Sequence, residues 1–169
     1  LFVNVTGTQD SPAQGNETAS TNEDTNLTNI DLDDNNTDPD GDPLTVSFPN
    51  GTTTTGGGAV TDNGDGTVDY SPAGNFFGSD TLIYRVCDNA ATPNCVVDTL
   101  VITVTGTQDA PNQGNEATTV SSLSTADDFD LIGNNTDPDG DPVTVTFVGT
   151  SGSVSGSFTN NGDGTIDYV

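Results

Sequence analysis

The run Asn35-Asn36-Thr37-Asp38-Pro39-Asp40-Gly41-Asp42-Pro43 returns unchanged as Asn134-Asn135-Thr136-Asp137-Pro138-Asp139-Gly140-Asp141-Pro142, 99 residues later. Prolines and a glycine keep it from being helix or strand, and its side chains are almost all oxygen donors. Calcium takes six to eight such oxygens, from carboxylates, amides and backbone carbonyls, in a flexible shell. Asn36-x-Asp38-x-Asp40-Gly41 matches the first half of an EF-hand loop, but the twelfth place holds Ser47 in one copy and Thr146 in the other instead of a bidentate Glu. Pro39 and the strand pattern that follows also exclude an EF-hand. The competing reading is an acidic turn whose Asp side chains cap backbone amides. Crowded carboxylates repel one another unless a cation lies among them, which favours calcium.

Other chemistry is scarce. There is no His and no Lys, and Arg85 is the only base against 26 acidic residues, for a net charge of −25. No nucleophile stands beside a base and no phosphate-binding loop is present, so an enzyme is not expected. Carboxylate pairs of the kind glycosidases use do exist, but they sit on loops that repeat from copy to copy. Nucleic acid is excluded as a partner, because binding it needs clustered cations. An anionic membrane surface repels such a chain, and no apolar run reaches the length of a membrane span. Cys87 and Cys95 are the only cysteines, too few for a zinc site without His. Joined, they would staple a hairpin and point to an oxidising, extracytoplasmic compartment; a reduced pair is the other possibility. The absence of Lys also excludes lysine–asparagine isopeptide crosslinks.

The elements that position these residues repeat as well. Thr6-Gly7-Thr8-Gln9-Asp10-Ser11-Pro12 returns as Thr105-Gly106-Thr107-Gln108-Asp109-Ala110-Pro111, and Gln14-Gly15-Asn16-Glu17 as Gln113-Gly114-Asn115-Glu116. Asn63-Gly64-Asp65-Gly66-Thr67-Val68-Asp69-Tyr70 returns as Asn161-Gly162-Asp163-Gly164-Thr165-Ile166-Asp167-Tyr168. A period of about 99 residues divides the chain into 1–8, the last strand of a preceding repeat, 9–107, a complete repeat, and 108–169, a repeat without its final strands. The sequence reads as a window on a longer polypeptide.

Low hydropathy with high charge is also the signature of disorder, but the apolar residues alternate as half-buried strands do. Strands are expected near 16–20, 26–32, 43–48, 58–62, 67–70, 81–87 and 96–105, with Asp65-Gly66 a hairpin turn. Seven short strands over one repeat predict an all-β fold of tandem Greek-key β-sandwich domains, immunoglobulin- or cadherin-like.

The order of motifs is more specific than any one of them. The linker Val-Thr-Gly-Thr-Gln-Asp-x-Pro is followed by Asp-Pro-Asp-Gly-Asp-Pro and then Asn-Gly-Asp-Gly-Thr-x-Asp-Tyr. After these come Asn75-Phe76-Phe77-Gly78-Ser79-Asp80-Thr81-Leu82-Ile83-Tyr84 and Val86-Cys87-Asp88. This resembles the cadherin-like and VCBS-type tandem repeats of large bacterial surface and secreted proteins. The resemblance implies calcium at the junctions between successive domains. It assigns Gln9 and Asp10 with Asp38 and Asp40 to one junction, and Gln108 and Asp109 with Asp137 and Asp139 to the next; Asp42 and Asp141, in the same loops, are further candidate ligands. Asp88 matches a further acidic position. The chain departs from the cadherin pattern in its less acidic linker and in lacking a Leu-Asp-Arg-Glu element, for which Asp80 is the nearest acid. Phe76 and Phe77 match a core position of the family. The resemblance further implies an extracellular or cell-surface location and a structural role in a filament, stalk or fibre. Its partners would be neighbouring repeats and identical chains. The alternative is an adhesin domain that recognises glycan or protein.

Overall fold

The computed structural model describes residues 1–4, 6–121, 124–146, 148–149 and 156–169. Two compact units divide the chain, Leu1–Thr107 and Gln108–Val169.

In the first unit the alternating runs become β1 (Glu17–Asn22), β2 (Leu27–Asp31), β3 (Leu44–Ser47), β4 (Ala59–Asp62), β5 (Thr67–Ser71), β6 (Gly78–Asp88) and β7 (Cys95–Thr105). They form two sheets, β1-β7-β6-β3 and β2-β5-β4. Every pairing is antiparallel except β1 with β7, which run parallel from Glu17 opposite Leu100 to Asn22 opposite Thr105. Strands that cross between the two sheets make the arrangement a Greek-key sandwich, the all-β architecture expected from the sequence.

The core follows from the period-two pattern of side chains along each strand. Val60, Val68 and Tyr70 face inward from one sheet, with Leu32 just beyond β2; Leu82, Tyr84, Val86, Leu100, Ile102 and Val104 face inward from the other. Leu44, Val46 and Phe48 pack at its margin. Burying each such side chain contributes about 1.5–3 kcal/mol, and the long β6–β7 hairpin supplies most of them. The β4–β5 turn has Gly64 at φ 79° and Gly66 at φ 93°, where a Cβ would be strained. Cys87 and Cys95 are joined by a disulfide at the loop end of the β6–β7 hairpin, where they stand opposite each other.

Residues 1–4 and 6–8 lie outside the strands, with Leu1, Phe2 and Val3 exposed; for the last strand of a preceding repeat, the ladder partners would belong to that repeat. One expectation differs from what forms. Phe76 packs against the core as expected, but Phe77 is 57% exposed. Its ring lies over Gly106, where a Cβ would come within 3.5 Å of it.

The second unit repeats the smaller sheet. Strands β8 (Ala126–Asp130), β9 (Phe158–Asn160) and β10 (Thr165–Tyr168) take the order β8-β10-β9, as β2, β4 and β5 do in the first unit. Ile166 is buried there, and Phe158 stacks on Tyr168 with ring centroids 4.9 Å apart.

Candidate metal centre at the acidic loops

Each acidic loop is folded by its first aspartate. Asp38 Oδ1 accepts the amides of Asp40 at 2.9 Å and Asp42 at 3.1 Å, while its carbonyl accepts the amide of Gly41 at 3.1 Å. Gly41 takes φ 80°, the left-handed conformation that closes such a turn at least cost. This much is the Asx-turn geometry expected of any such sequence. The linker then docks onto the loop. The amide of Asp10 donates to Asp40 Oδ2 at 2.7 Å, and Gln9 Nε2 donates to Asp42 Oδ2 at 2.5 Å.

The second unit builds the same arrangement from its own copy. Asp137 Oδ1 accepts the amides of Asp139 at 3.0 Å and Asp141 at 3.2 Å, and Gly140 also has φ 80°. Asp139 Oδ2 accepts the amide of Asp109 at 2.7 Å and Gln108 Nε2 at 3.2 Å. Gln108 Nε2 also donates to Asp141 Oδ2 at 2.9 Å. The carboxylates of Asp109 and Asp139 offer oxygens within 4.8 Å of each other.

Capping explains one oxygen of Asp38 but not the other. Asp38 Oδ2 is buried and accepts no hydrogen bond. A buried carboxylate oxygen without a partner carries a desolvation cost that a turn alone does not offset. The carboxylates of Asp38 and Asp40, held by main-chain amides, and of Asp42, held by Gln9 Nε2, make with the linker aspartate a donor set of the hard, all-oxygen kind that suits calcium. The residues fit the ion.

Asp88, also assigned from the sequence, is 1% exposed and turned into its own loop. Its Oδ1 accepts the amides of Ala90 at 3.3 Å and Asn94 at 3.0 Å, and its Oδ2 accepts Asn94 Nδ2 at 3.2 Å. Asn94 Nδ2 also reaches the carbonyl of Asp10 at 3.3 Å. Asp88 therefore positions the linker through Asn94, and the disulfide at Cys87–Cys95 braces the same loop.

Three further acids matter that sequence reasoning did not single out for these roles. Asp80 is fully buried on β6. Burial would push its carboxyl up, but hydrogen bonds from Thr54, Gly56, Tyr70 and Thr81 outweigh that and hold it below the usual carboxylate range. Glu23 accepts the amide and the hydroxyl of Thr107, which fixes the exit of β7 into the linker. Asp98 is fully buried on β7. The signal for Asp80 and Asp98 lay in the alternation, since each is an acid at an inward-facing place on an otherwise apolar strand face. By contrast, Asp65 and Asp163 are turn residues, as expected: the hydroxyl and amide of Thr67 and Thr165 hold them below the usual range.

Repeated Asx-turn loops that dock a Gln-Asp linker at the entrance of a Greek-key sandwich coincide with a known sequence pattern. The pattern of the bacterial cadherin-like domain matches residues 9–106. The chain belongs to the bacterial cadherin-like domain family. No curated protein matches this cadherin-like chain. Among solved structures it is similar to a nucleoside hydrolase-related hypothetical protein from Saccharophagus degradans that is associated with carbohydrate metabolism. The identity is 15% and the TM-score 0.44, over 57% of this chain and 26% of that one. The cadherin-like chain thus spans about a quarter of that structure's length.

Proposed function

We propose that this chain is a structural segment of an extracellular bacterial filament, stalk or surface fibre, and that calcium bound at its acidic loops stiffens the junctions between successive domains. The role is non-enzymatic. Asp10 with Asp38, Asp40 and Asp42 would hold the ion at one junction, and Asp109 with Asp137, Asp139 and Asp141 at the next. Gln9 and Gln108 orient the loops, and Asp88 acts through Asn94. Bound calcium would offset carboxylate repulsion and fix the linker against the domain that follows it. The partners are neighbouring repeats and identical chains.

One observation carries this reading: both copies of the loop fold alike and dock the linker through the same bonds, Asp10 N–H to Asp40 and Asp109 N–H to Asp139. A site that recurs with each domain serves the array. The disulfide in an acidic, strand-rich chain supports the extracellular setting.

The test is thermal unfolding of the whole chain with calcium and with chelator, beside a D40N/D139N variant. Extracellular calcium modules bind with Kd of about 10⁻⁴–10⁻³ M, so about 10 mM calcium should stabilise by about 1.4–2.7 kcal/mol. For a domain of this size that is a rise of roughly 5–20 °C in Tm. D40N/D139N should lose most of the rise. Equal midpoints with calcium and with chelator would end the metal reading.

A further inference from the structure

Away from the linker loops, β1, β7 and the start of the acidic loop enclose a second set of oxygens. Asp98 lies on β7 opposite Tyr84 and is fully buried. Its Oδ2 accepts Asn36 Nδ2 at 2.7 Å and the amide of Gly15 at 3.3 Å, while its Oδ1 is buried and accepts nothing. Asn36 is 6% exposed; its Nδ2 also donates to the carbonyl of Ala13 at 2.9 Å, and its Oδ1 is buried without a partner. Glu17, the first residue of β1, adds a third buried oxygen without a partner, Oε1.

No cationic side chain neutralises this group. Arg85 is the only Lys or Arg in the chain, and it is exposed on β6, on the face opposite to its neighbour Tyr84. An ionised carboxylate buried without a partner is among the costliest arrangements a fold can hold. Burial, together with Asp34, Asp31, Asp98 and Asp33, pushes the Glu17 carboxyl up, the response of an acid that lacks a counter-charge. The Tyr84 hydroxyl, beside the carbonyl of Gly15 at 3.5 Å, is likewise raised by burial and by Glu17 and Asp98.

We propose that Glu17 Oε1, Asn36 Oδ1 and Asp98 Oδ1 are ligands of a hard divalent cation, calcium by their chemistry, bound inside the domain by side chains other than those assigned to the junction. Backbone carbonyls and water would complete its shell. The cation replaces the missing counter-charge and ties the first strand, the last strand and the acidic loop together. The proposal does not rest on calcium binding at the junctions, which uses other side chains.

Terbium provides the probe, because it substitutes for calcium and emits when energy is transferred from a nearby tyrosine. The full chain is titrated with terbium alone, excited through tyrosine, and then back-titrated with calcium. Tyr84 should sensitise the emission, and calcium should displace it. Glu17→Gln should weaken terbium at this site by about 10–100-fold, the scale on which losing one supporting group costs metal affinity. Tyr84→Phe should abolish the sensitised emission from this site, and D38N/D40N should leave it in place. Glu17 is half-buried at a strand end, so its variant keeps the test open if Asp98→Asn fails to fold; far-ultraviolet circular dichroism checks that it folds. Unchanged emission and affinity in E17Q overturn the proposal, as does emission that disappears in D38N/D40N while persisting in E17Q. An absence of any sensitised emission also overturns it.

Discussion

Replacing Asp80 should show how much one buried carboxylate contributes to the sandwich. Its Oδ1 accepts the amides of Gly56 at 2.5 Å and Thr81 at 2.8 Å and the hydroxyl of Thr55 at 3.3 Å; its Oδ2 accepts the hydroxyls of Tyr70 at 2.8 Å and Thr54. These bonds join β5, β6 and the loop at 53–58. Gly56 and Gly58 come so close that a Cβ on either would lie 2.5 Å from Phe76 or Tyr70. In Asp80→Asn the retained carbonyl can still serve the two amides, and the new NH2 faces hydroxyls that can rotate to accept. What disappears is the charge assistance, a difference of about 1 kcal/mol per bond. Spread over the close contacts and offset by easier desolvation, this predicts a loss of about 2–3 kcal/mol. Asp80→Ala leaves the Gly56 amide and the Tyr70 hydroxyl buried and unpaired, at about 1–3 kcal/mol each on top of the lost bonds, for about 4–5 kcal/mol in all. Differential scanning calorimetry should register D80N as a fall of roughly 10–20 °C in the Tm of the first unit. Because the folded carboxyl is held below its ordinary value, its contribution is complete above the ordinary Asp pKa of about 3.9 and is lost as pH falls through the folded value. The gap between wild type and D80N should therefore narrow between about pH 4 and pH 2, other carboxyls cancelling in the difference. A loss below about 1 kcal/mol in D80A would refute the assignment of this network as a structural centre.

Other perturbations test neighbouring features. Gly15→Ala would place a Cβ 1.7 Å from Asn35 Oδ1, so it should destabilise the first unit by about 1–3 kcal/mol, and an unchanged denaturation midpoint would show that Asn35 moves aside freely. Reducing Cys87–Cys95, which are separated by 8 residues, should cost about 2.5 kcal/mol by loop-closure entropy; calorimetry with and without reductant measures it, and no change would mean that the β6–β7 ladder already fixes the hairpin in the unfolded ensemble. Asp65→Ala removes the cap on Thr67 but touches an exposed turn, so a change within about 0.5 kcal/mol in urea unfolding is expected.

The sandwich was legible because its alternation is clean. Leu82, Tyr84 and Val86 against Leu100, Ile102 and Val104 leave few other ways to bury those side chains. The Asx turn at Asp38 and the glycine turn at Gly64 and Gly66 were likewise written in residues with narrow backbone preferences. The roles of Asp80, Asp88 and Asp98 were not legible. A carboxylate on a strand reveals its place in the alternation but not its partners. Those come from Thr54 and Tyr70 for Asp80, and from Gly15 and Asn36 for Asp98, residues distant in sequence that only the fold brings together. The exposure of Phe77 was missed for a similar reason: of two adjacent aromatics on an extended segment, only Phe76 can face the core.

The parallel pairing of β1 with β7 has a mechanical consequence. β1 is the first strand of the first unit and β7 its last, and the two run side by side in the same direction over Glu17–Asn22 and Leu100–Thr105. Tension applied through the start of β1 and the end of β7 acts along the strands and shears the whole ladder at once, so the bonds share the strain instead of peeling apart one after another. Forced unfolding is governed by the unfolding rate, and a sheared ladder gives a high barrier along that coordinate. Single-molecule stretching should find β1–β7 resisting high tension; if that pair separates before the antiparallel strands at low tension, the inference fails. The weak direction is sideways, and a sandwich pulled end to end is never loaded that way.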